Sequence, residues 1–413
     1  MSYMALFATS LETPSLFAQM SAMWAVGVVV GAPIGSAFAA NAVLTWRWAL
    51  YINIPFVGLG LAFATYCAPS HVLRPGPIRE RLARLDPVGV LFNMITPSLF
   101  ALALTLSGPL WAWGSNASIG IWVAFCISLA LWSIQQYFCI LTTAEDRAFP
   151  LHILPRRDLQ PIWVASACAG STYAVTLYYT PLFFAFTRRF GPLQQTVRIL
   201  PFILVFIFAV LLTGTLLPRV GKRYGFVYVA AGVVTASSAA TLAVTMRQGV
   251  SDAQVMACVA VIGLGLGMHF QHGAAIISNA HHEHDSTENS DDNLQRAQVD
   301  SLAVFNLAQM GGIAVTLTAA SAVFENVGYH SLVHVIGSER YTSHEIREAL
   351  AGVSSSVWQS ADTRVLQKCV EAVASVIAKE FYIVTASAVI CLVCGLLMLK
   401  KWPGKGNVTR MAG

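Results

Sequence analysis

The chain has 413 residues, of which 56% are apolar and only 11% are Asp, Glu, Lys or Arg. A soluble globular domain carries roughly 25% charged residues, so this composition excludes a water-soluble protein and indicates a membrane protein. The formal net charge is +5, and the eight cysteines are scattered, mostly within apolar runs, so no disulfide framework is expected.

Ten stretches of the sequence are long and apolar enough to cross a membrane as helices, because a bilayer core of about 30 Å requires about 20 helical residues. They are residues 15–39, 47–68, 87–107, 117–140, 160–186, 198–217, 225–246, 253–278, 301–325 and 380–400. No basic residue precedes Arg47, so the first stretch lacks the basic flank of a signal peptide and is interpreted as a span. The predicted fold class is an all-α polytopic membrane bundle whose span cores offer no carboxylate.

Lys and Arg in the short loops predict the orientation, because basic residues are retained on the cytoplasmic side. The loops expected inside hold Arg74, Arg79, Arg81, Arg84, Arg147, Arg156, Arg157, Arg219, Lys222, Arg223, Lys400, Lys401 and Lys405. The opposite loops hold Arg47, Arg188, Arg189 and Arg247, with an expected interfacial belt of Trp46, Trp48, Trp111 and Trp113. Ten spans then place both termini in the cytoplasm. The sequon at Asn116 lies outside in this arrangement and is a candidate glycosylation site.

Two connections are long for a helical bundle. Residues 279–300 contain a polar run that suggests either a metal site or a solvated linker, and the linker is favoured because the run fixes no ligand geometry. The run includes His281, His282, His284 and Asp285. Residues 327–379 combine mixed charge with helical spacing, which predicts an external amphipathic cap before the last span. No metal ion or cofactor is expected.

A glycine-rich segment in the first predicted span has small residues at a spacing that lets helices approach closely. It begins at Gly27 and includes Gly31, Pro33 and Gly35. It resembles the signature in the fifth span of major facilitator antiporters, with the proline displaced by one place and Ser36 where that family usually has glycine. Close packing in any membrane bundle would explain the same residues.

The next segment is a more specific match. It spans 45–55 and contains Trp46, Arg47, Trp48 and Asn53, and it is similar to the run that opens the sixth span of fourteen-span drug efflux proteins. Further segments follow in that family's order: Leu85–Gly89, Phe149–Leu151, Tyr178–Phe184, Arg198–Phe202, Gly263–Gln271, Asn306, Gln309, Gly311–Gly312 and Phe324–Asn326. The resemblance covers essentially the whole chain and implies a fungal-type major facilitator efflux transporter.

A basic stretch after the sixth predicted span resembles a degenerate copy of the family's cytoplasmic loop motif. It contains Gly214, Arg219, Gly221, Lys222 and Arg223. Pro218 stands where the family has an acidic residue. A basic anchor at the inner membrane surface explains these residues equally well, so no gating role is assigned to them.

The resemblance implies that the chain begins at the end of the family's fourth span. Residues 1–68 would be the remnant of an N-terminal half, 69–158 two central linking spans with cytoplasmic loops, and 159–413 a C-terminal six-helix half. Four spans would then be absent, including the fourth-span arginine that the family associates with proton coupling. Because facilitators rock two six-helix halves about a midplane site, such a chain is not expected to alternate access by itself.

Proton-driven export requires a titratable group near the cavity. His269 and His272 are the candidates, on similar faces of one span, although neutral packing within the bundle is the favoured alternative. Polar groups in spans that the resemblance places around the cavity are candidate substrate contacts, and ordinary interhelical hydrogen bonding also explains them. These candidates are Tyr173, Tyr178, Tyr179, Gln271, Asn306 and Gln309.

The sequence thus predicts a secondary transporter, and not an enzyme, that exports small organic molecules such as toxins, drugs or secondary metabolites by proton antiport. The alternative is a truncated, non-transporting membrane protein or a half-transporter that needs a partner chain. The expected partners are membrane lipid, a small-molecule substrate and protons, with no nucleic acid, in a monomer unless a complementing chain is needed. The plasma membrane is the expected location, with the vacuolar membrane as the alternative.

Overall fold

The computed structural model describes residues 12–41, 43, 45–67, 77, 85–143, 146–247, 249–285, 291–337, 341–352, 355, 357–358 and 363–400, with the backbone alone at 222, 280–285 and 291–295. Within these ranges the regular structure is helical. In chain order the helices are α1 (Thr13–Ala40), α2 (Arg47–Tyr51), α3 (Asn53–Cys67), α4 (Pro87–Leu106), α5 (Asn116–Phe138), α6 (Gln160–Arg188), α7 (Pro192–Val220), α8 (Gly225–Thr245), α9 (Asp252–Gly267), α10 (His272–Asp285), α11 (Asp291–Ile336), α12 (Ser343–Ala351) and α13 (Thr363–Leu399).

The predicted spans are present as helices, so the polytopic helical fold is confirmed. By length and hydropathy, 9 helical segments of the described chain qualify as membrane spans. The remaining predicted span, residues 160–186, corresponds to α6. This helix has 29 residues, enough to cross a bilayer, but it falls short of the other segments in hydropathy.

The polar character of α6 follows from its place inside the bundle, where it packs against α11 and α13. Two of its buried serines make hydrogen bonds to α11: Ser166 Oγ donates to the Phe305 carbonyl at 3.2 Å, and Ser171 Oγ lies 2.6 Å from Thr316 Oγ1. Lipid offers no partner to such groups, so they are stable only when they face other helices. In this protein the less apolar helix is therefore the more buried one.

Small residues set the close contact between α6 and α11. A Cβ atom added at Gly170 would overlap the backbone of Gln309, and one added at Gly312 would overlap the backbone of Ala167. The two glycines therefore let the helices meet backbone to backbone, which is typical of membrane bundles.

The first part of the chain is much more open. Every residue of α3 is exposed, and α1 is buried mainly in its first half, where it packs against α7. Ser36 connects the second half of α1 to α7, because its Oγ lies 2.9 Å from Thr196 Oγ1. The serine at the position where the resembled family has glycine therefore makes an interhelical hydrogen bond.

The two long connections contain more helix than hydropathy indicates. Helix α10 continues to Asp285, α11 runs from Asp291 to Ile336, and α13 already begins at Thr363. Between them lies α12, whose N-terminus has a capping box formed by Thr342 and Glu345. The hydropathy of a segment marks only the part of a helix suited to lipid, so α11 and α13 extend beyond the predicted spans.

Several predicted features lie outside the described residues. These are the loop arginines Arg74, Arg79, Arg81 and Arg84, the terminal lysines Lys401 and Lys405, and the side chains of Lys222, His281, His282, His284 and Asp285. Among the described residues, no group of three or more His, Cys, Asp or Glu side chains is arranged to hold a metal ion.

The loop between α4 and α5 is fixed to the end of α11. Trp113 Nε1 donates to Asn326 Oδ1 at 3.4 Å, and Arg347 of α12 donates to the Gly108 carbonyl at 2.8 Å. Asn116 is exposed at the first turn of α5, while the hydroxyl of Ser118 in the same sequon is buried and lies 2.6 Å from Ser107 Oγ. The pair α4–α5 is thus attached to the C-terminal helices at this end.

Candidate functional site

The predicted span 253–278 is interrupted inside the bundle. Helix α9 ends at Gly267 and α10 begins at His272, with residues 268–271 forming a turn between them. The backbone N–H of Ala274 bonds to the Gln271 carbonyl at 3.1 Å instead of continuing the regular ladder to Phe270. Breaks in membrane helices occur where they are buried in protein or line a cavity, and transporters commonly bind substrate at such breaks.

Glycines let α9 pass closely between its neighbours before it breaks. Cβ atoms added at Gly263 and Gly267 would overlap the α7 backbone at Phe202 and Phe206, and one at Gly265 would overlap α8. The glycine-rich run therefore lets α9 pack closely against α7 and α8, and this packing fixes the position of the turn at 268–271.

Two buried glutamines close the break. Gln309 of α11 donates from Nε2 to the Phe270 carbonyl at 2.9 Å, and Gln271 donates from Nε2 to Gln309 Oε1 at 3.0 Å. A buried carbonyl left without a donor costs about 1–3 kcal/mol, so Gln309 stabilises the interruption. Gln271 Oε1 has no hydrogen-bond partner among the described residues. The amide pair therefore retains one free acceptor at the break.

An aromatic cluster of Trp24, Tyr173 and Phe270 lies beside this amide pair. Trp24 Nε1 donates to Tyr173 Oη at 3.0 Å, and the Trp24 ring meets Tyr173 and Phe270 edge to face with centroids 6.1 and 6.0 Å apart. Phe270 also contacts Phe206 of α7, with centroids 5.3 Å apart. Trp24 remains 37% exposed. The cluster therefore presents aromatic surface beside buried amides, as small-molecule sites do.

His269 lies in the turn and His272 is the first residue of α10, and both are buried in the bundle. His269 Nδ1 is 3.0 Å from the Gly265 carbonyl, and its ring lies against Tyr228 with centroids 5.7 Å apart. His272 is fully buried, and backbone groups of Gly267 and Val210 lie within hydrogen-bonding reach of its ring. The contacts of His269 match the packing alternative, and the backbone groups beside His272 are compatible with it too.

The other proposed substrate contacts are spread apart. Tyr178 is 53% exposed, and Tyr179 is fully buried against Phe324, with ring centroids 5.8 Å apart. Asn306 is partly buried on α11, one turn before Gln309. The structure thus brings together Tyr173, Gln271 and Gln309, while Tyr178 and Tyr179 lie nearer the Arg188 end of α6. Sequence reasoning missed Trp24, because a single tryptophan in an apolar span carries no spacing signal.

The glycine-rich segment of α1 does not make the expected contacts. A Cβ atom at Gly27 or Gly31 would meet no described atom within 4 Å, and one at Gly35 would reach only the Ala49 side chain. Gly27 and Gly31 are exposed and Pro33 lies inside α1. Close helix packing at these glycines is not seen in the described residues and stays a prediction.

The Trp-Arg-Trp run forms the start of α2. Trp46 and Trp48 are exposed, and the guanidinium of Arg47 lies over the Trp46 ring at 5.1 Å. Asn53 Nδ2 donates to the carbonyls of Ala49 and Leu50 at 3.1 and 3.2 Å. The asparagine therefore satisfies backbone groups where α2 meets α3, and exposed tryptophans suit a membrane interface.

The basic stretch at the end of α7 contains one glycine in a helix contact and one in a turn. A Cβ at Gly214 would overlap Ala18 of α1, so this glycine lets α1 and α7 touch. Gly221 has φ +55 and ends α7 at the 3₁₀ turn Gly221–Arg223, a conformation that favours glycine. Arg219 and Arg223 are exposed. These contacts explain the glycines structurally.

Asp86 is the centre of a buried hydrogen-bond network that sequence reasoning did not single out. It caps α4, where Oδ1 accepts from Gly89 N at 2.7 Å, and Gln136 Nε2 and Ala148 N donate to Oδ2 at 2.9 and 3.1 Å. Gln135 Nε2 also donates to Oδ1 at 3.0 Å. Burial alone would raise the pKa of Asp86, but these donors stabilise the carboxylate and bring the net pKa below its usual value.

Glu380 contradicts the expectation that the span cores offer no carboxylate. It lies within α13, is fully buried, and neither carboxyl oxygen has a hydrogen-bond partner among the described residues. A polar group buried without a partner costs roughly 2–7 kcal/mol, and an ionised carboxylate far more. The residue stands at the first position of the predicted last span, and the longer helix places it in the interior instead of at a surface boundary.

Comparison with known proteins gives one consistent kind of relative. The chain is 28% identical over 352 residues to a protein named efflux pump patC from Aspergillus clavatus, 26% identical over 395 residues to MFS-type transporter pgmG from Aspergillus terreus, and 27% identical over 409 residues to efflux pump alnA from Emericella nidulans. These alignments cover 84%, 94% and 97% of the chain. No family model matches it.

The same alignments cover 61%, 67% and 70% of the three relatives, so the chain spans less than two thirds of the patC protein. All three relatives are named as transporters or pumps, and none of these names is that of an enzyme. Their similarity extends over most of the helices described above. The chain folds as a polytopic helical membrane bundle, and the relatives named as transporters align with most of it.

Proposed function

We propose that the chain works in secondary active efflux of small organic molecules, such as toxins, drugs or secondary metabolites, by proton antiport. The observation that carries the proposal is the broken helix α9–α10, whose turn joins a buried glutamine pair to an aromatic cluster, in a chain similar to named efflux pumps. Discontinuous helices at mid-membrane are where many transporters bind substrate.

The site suits a flat, largely apolar cargo with a hydrogen-bond donor. The rings of Trp24 and Phe270 offer stacking surface, the Tyr173 hydroxyl is fixed by Trp24, and Gln271 Oε1 is a free acceptor. Binding a donor there would satisfy a buried oxygen that otherwise lacks a partner. His272, which is fully buried at the start of α10 next to this turn, is the candidate for linking protonation to cargo binding.

Efflux of a fluorescent aromatic cation such as ethidium, from cells that lack their own exporters, tests this proposal. Cells with the chain should retain less dye than cells without it, and collapse of the pH gradient should remove the difference. Trp24→Ala should lower efflux more than Trp113→Ala, a control tryptophan at the far loop. Equal dye retention with and without the chain, over a panel of neutral and cationic aromatic compounds, would contradict efflux.

The alternative is a half-transporter that acts only with a partner chain, and the chain matches 61% of the length of the patC relative. The efflux assay separates the two readings when the chain is compared with a version that carries the N-terminal spans of a relative, co-expressed or fused. Efflux only in the second case supports a chain that needs complementing spans.

The two histidines are tested in the same assay. Loss of the pH dependence of efflux in His272→Gln, with the pH dependence retained in His269→Gln, supports coupling through His272.

The proposed topology places the Arg188 end of the bundle outside and both termini in the cytoplasm of a plasma-membrane or vacuolar protein. Arg188, Arg198 and Asp252 form a small ion cluster at the outer end, with Arg188 Nε and Asp252 Oδ1 2.9 Å apart. Asn116, exposed at the same end, is the proposed glycosylation site. Enzymatic deglycosylation of the protein from eukaryotic cells should increase its gel mobility, and Asn116→Gln should remove that change.

A further inference from the structure

A buried acidic group lies at the Arg188 end of the bundle, away from the helix break. Glu380 of α13 has no exposed surface, and neither of its carboxyl oxygens makes a hydrogen bond to a described residue. Its neighbours along the helix, Ile377, Phe381 and Val384, are also fully buried. A ligand larger than a proton would have to displace this apolar core, so the proton is the ligand that the site can take.

A second unpartnered polar group faces the same region. Tyr179 of α6 is fully buried, its hydroxyl lacks a hydrogen-bond partner in the described chain, and it lies within electrostatic range of Glu380 and of Glu325 on α11. Two orphaned polar groups in one apolar cluster are costly, because each loses water without gaining a partner. Their juxtaposition points to a group that changes protonation state during function.

The charged and titratable groups on the side of Glu380 that Tyr179 occupies come from three helices. Helix α6 contributes Tyr179, α11 contributes the partly buried Glu325, and α12 contributes Arg347, which lies within electrostatic range of Glu325. Helix α8 also packs along α13, but its titratable side chain, Tyr228, lies beside Cys391 and Cys394 toward the opposite end. The arrangement leads from the half-buried Glu325 through Tyr179 to Glu380.

We propose that Glu380 is a proton-binding site that exchanges its proton with the Arg188 end of the bundle by way of Tyr179 and a water molecule between the two side chains. The carboxylate accepts one proton from that water and becomes a neutral acid, the tyrosine hydroxyl restores the proton of the water, and the hydroxyl regains one from the Glu325 side. No other bond is made or broken. The use of this site to drive export rests on the proposed transport function, but proton binding itself does not.

Infrared spectroscopy of the full chain in lipid nanodiscs tests the proposal without any cargo. A protonated carboxyl in apolar surroundings gives a high-frequency carbonyl band that shifts in heavy water. We expect this band in the unmodified chain, its loss in Glu380→Gln and its retention in Glu371→Gln, an exposed glutamate on the same helix. Glu380→Asp should shift the band. A band unchanged in Glu380→Gln, or no band in the unmodified chain, would overturn the proposal.

The role of Tyr179 has its own measurement. Tyr179→Phe keeps the ring and its packing on Phe324 but removes the hydroxyl, so hydrogen–deuterium exchange of the Glu380 band should slow several-fold. Tyr178→Phe, on the exposed neighbour, is the control and should leave the exchange rate unchanged. An unaltered rate in Tyr179→Phe would remove Tyr179 from the path. If the chain shows the Glu380 carbonyl band but no efflux, the transport function is contradicted and the proton-binding site is still supported.

Discussion

Asp86 and Glu380 are both buried carboxyl groups, yet their surroundings are opposite. Asp86 is 2% exposed and accepts hydrogen bonds from two backbone N–H groups and two glutamine side chains. Glu380 is 0% exposed and has no hydrogen-bond partner among the described residues. The two side chains are therefore about equally buried, but only Asp86 has hydrogen-bond donors around it. These donors decide whether a buried acid stabilises or destabilises the fold.

The donors of Asp86 come from parts of the chain that it holds together. Gly89 belongs to its own helix, Gln135 and Gln136 to the end of α5, and Ala148 to the following loop. Gln136 Oε1 in turn accepts from Phe149 N at 3.0 Å. Two segments that resemble the efflux family, 85–89 and 149–151, thus meet through one glutamine. This network indicates a structural role for Asp86.

Replacing Asp86 should have the largest effect on stability. Asp86→Ala removes a helix cap and several charge-assisted hydrogen bonds, so we expect the free energy of unfolding to fall by about 2–4 kcal/mol. Unfolding by sodium dodecyl sulfate in mixed micelles measures it. The control is Asp158→Ala, because Asp158 is 56% exposed in its pair with Arg156, where a surface pair contributes about 0–1 kcal/mol. Equal losses in the two variants would contradict the distinction.

Replacing Glu380 should change stability in the opposite direction. Glu380→Met fills a similar volume without an unsatisfied polar group, so we expect the free energy of unfolding to rise by about 1–3 kcal/mol. The same detergent titration measures the change, with Glu371→Met on the exposed face as the control. A clear loss of stability in Glu380→Met would mean that the carboxyl has a partner and that the two acids are alike.

Gln309 extends the comparison from acids to a backbone carbonyl. Gln309→Leu leaves the Phe270 carbonyl without its donor and Gln271 without its acceptor, so we expect a loss of about 1–2 kcal/mol in unfolding free energy. Asn306→Leu, one turn earlier on α11, should change it less, because Asn306 makes no hydrogen bond in the described chain. Stability is again measured by detergent titration, and similar losses in both variants would count against a capping role for Gln309.

The smallest expected effect is the pH dependence that Asp86 contributes. Its folded pKa is lowered, so its stabilising contribution is present above the unfolded pKa of about 4 and is lost as the pH falls through the folded pKa. Unfolding free energies of the unmodified chain and of Asp86→Asn should therefore converge as the pH is lowered from 6 toward about 3. If the difference in unfolding free energy between the two chains stays constant over that range, Asp86 has the same pKa in the folded and the unfolded state.

Much of the fold could be predicted from the sequence, because its determinants are local. Twenty apolar residues in a row specify a membrane helix wherever they occur, and the predicted spans are helices in the structure. The cap of α4 is also local, since Asp86 bonds to an N–H three residues later. Hydropathy missed the interruption at 268–271, because a turn between two apolar helices does not change the apolar character of the run.

The site depended on contacts that sequence spacing cannot reveal. Gln309 reaches the Phe270 carbonyl across 39 residues, and Trp24 reaches the Tyr173 hydroxyl across 149. The sequence by itself determined a membrane bundle with named polar residues on its spans. Only the tertiary structure decided that Asp86 is fully partnered and Glu380 is not. Hydrogen bonds of side chains depend on distances of a few ångströms between helices. Hydropathy gives the position of each helix in the sequence but not the distances between helices.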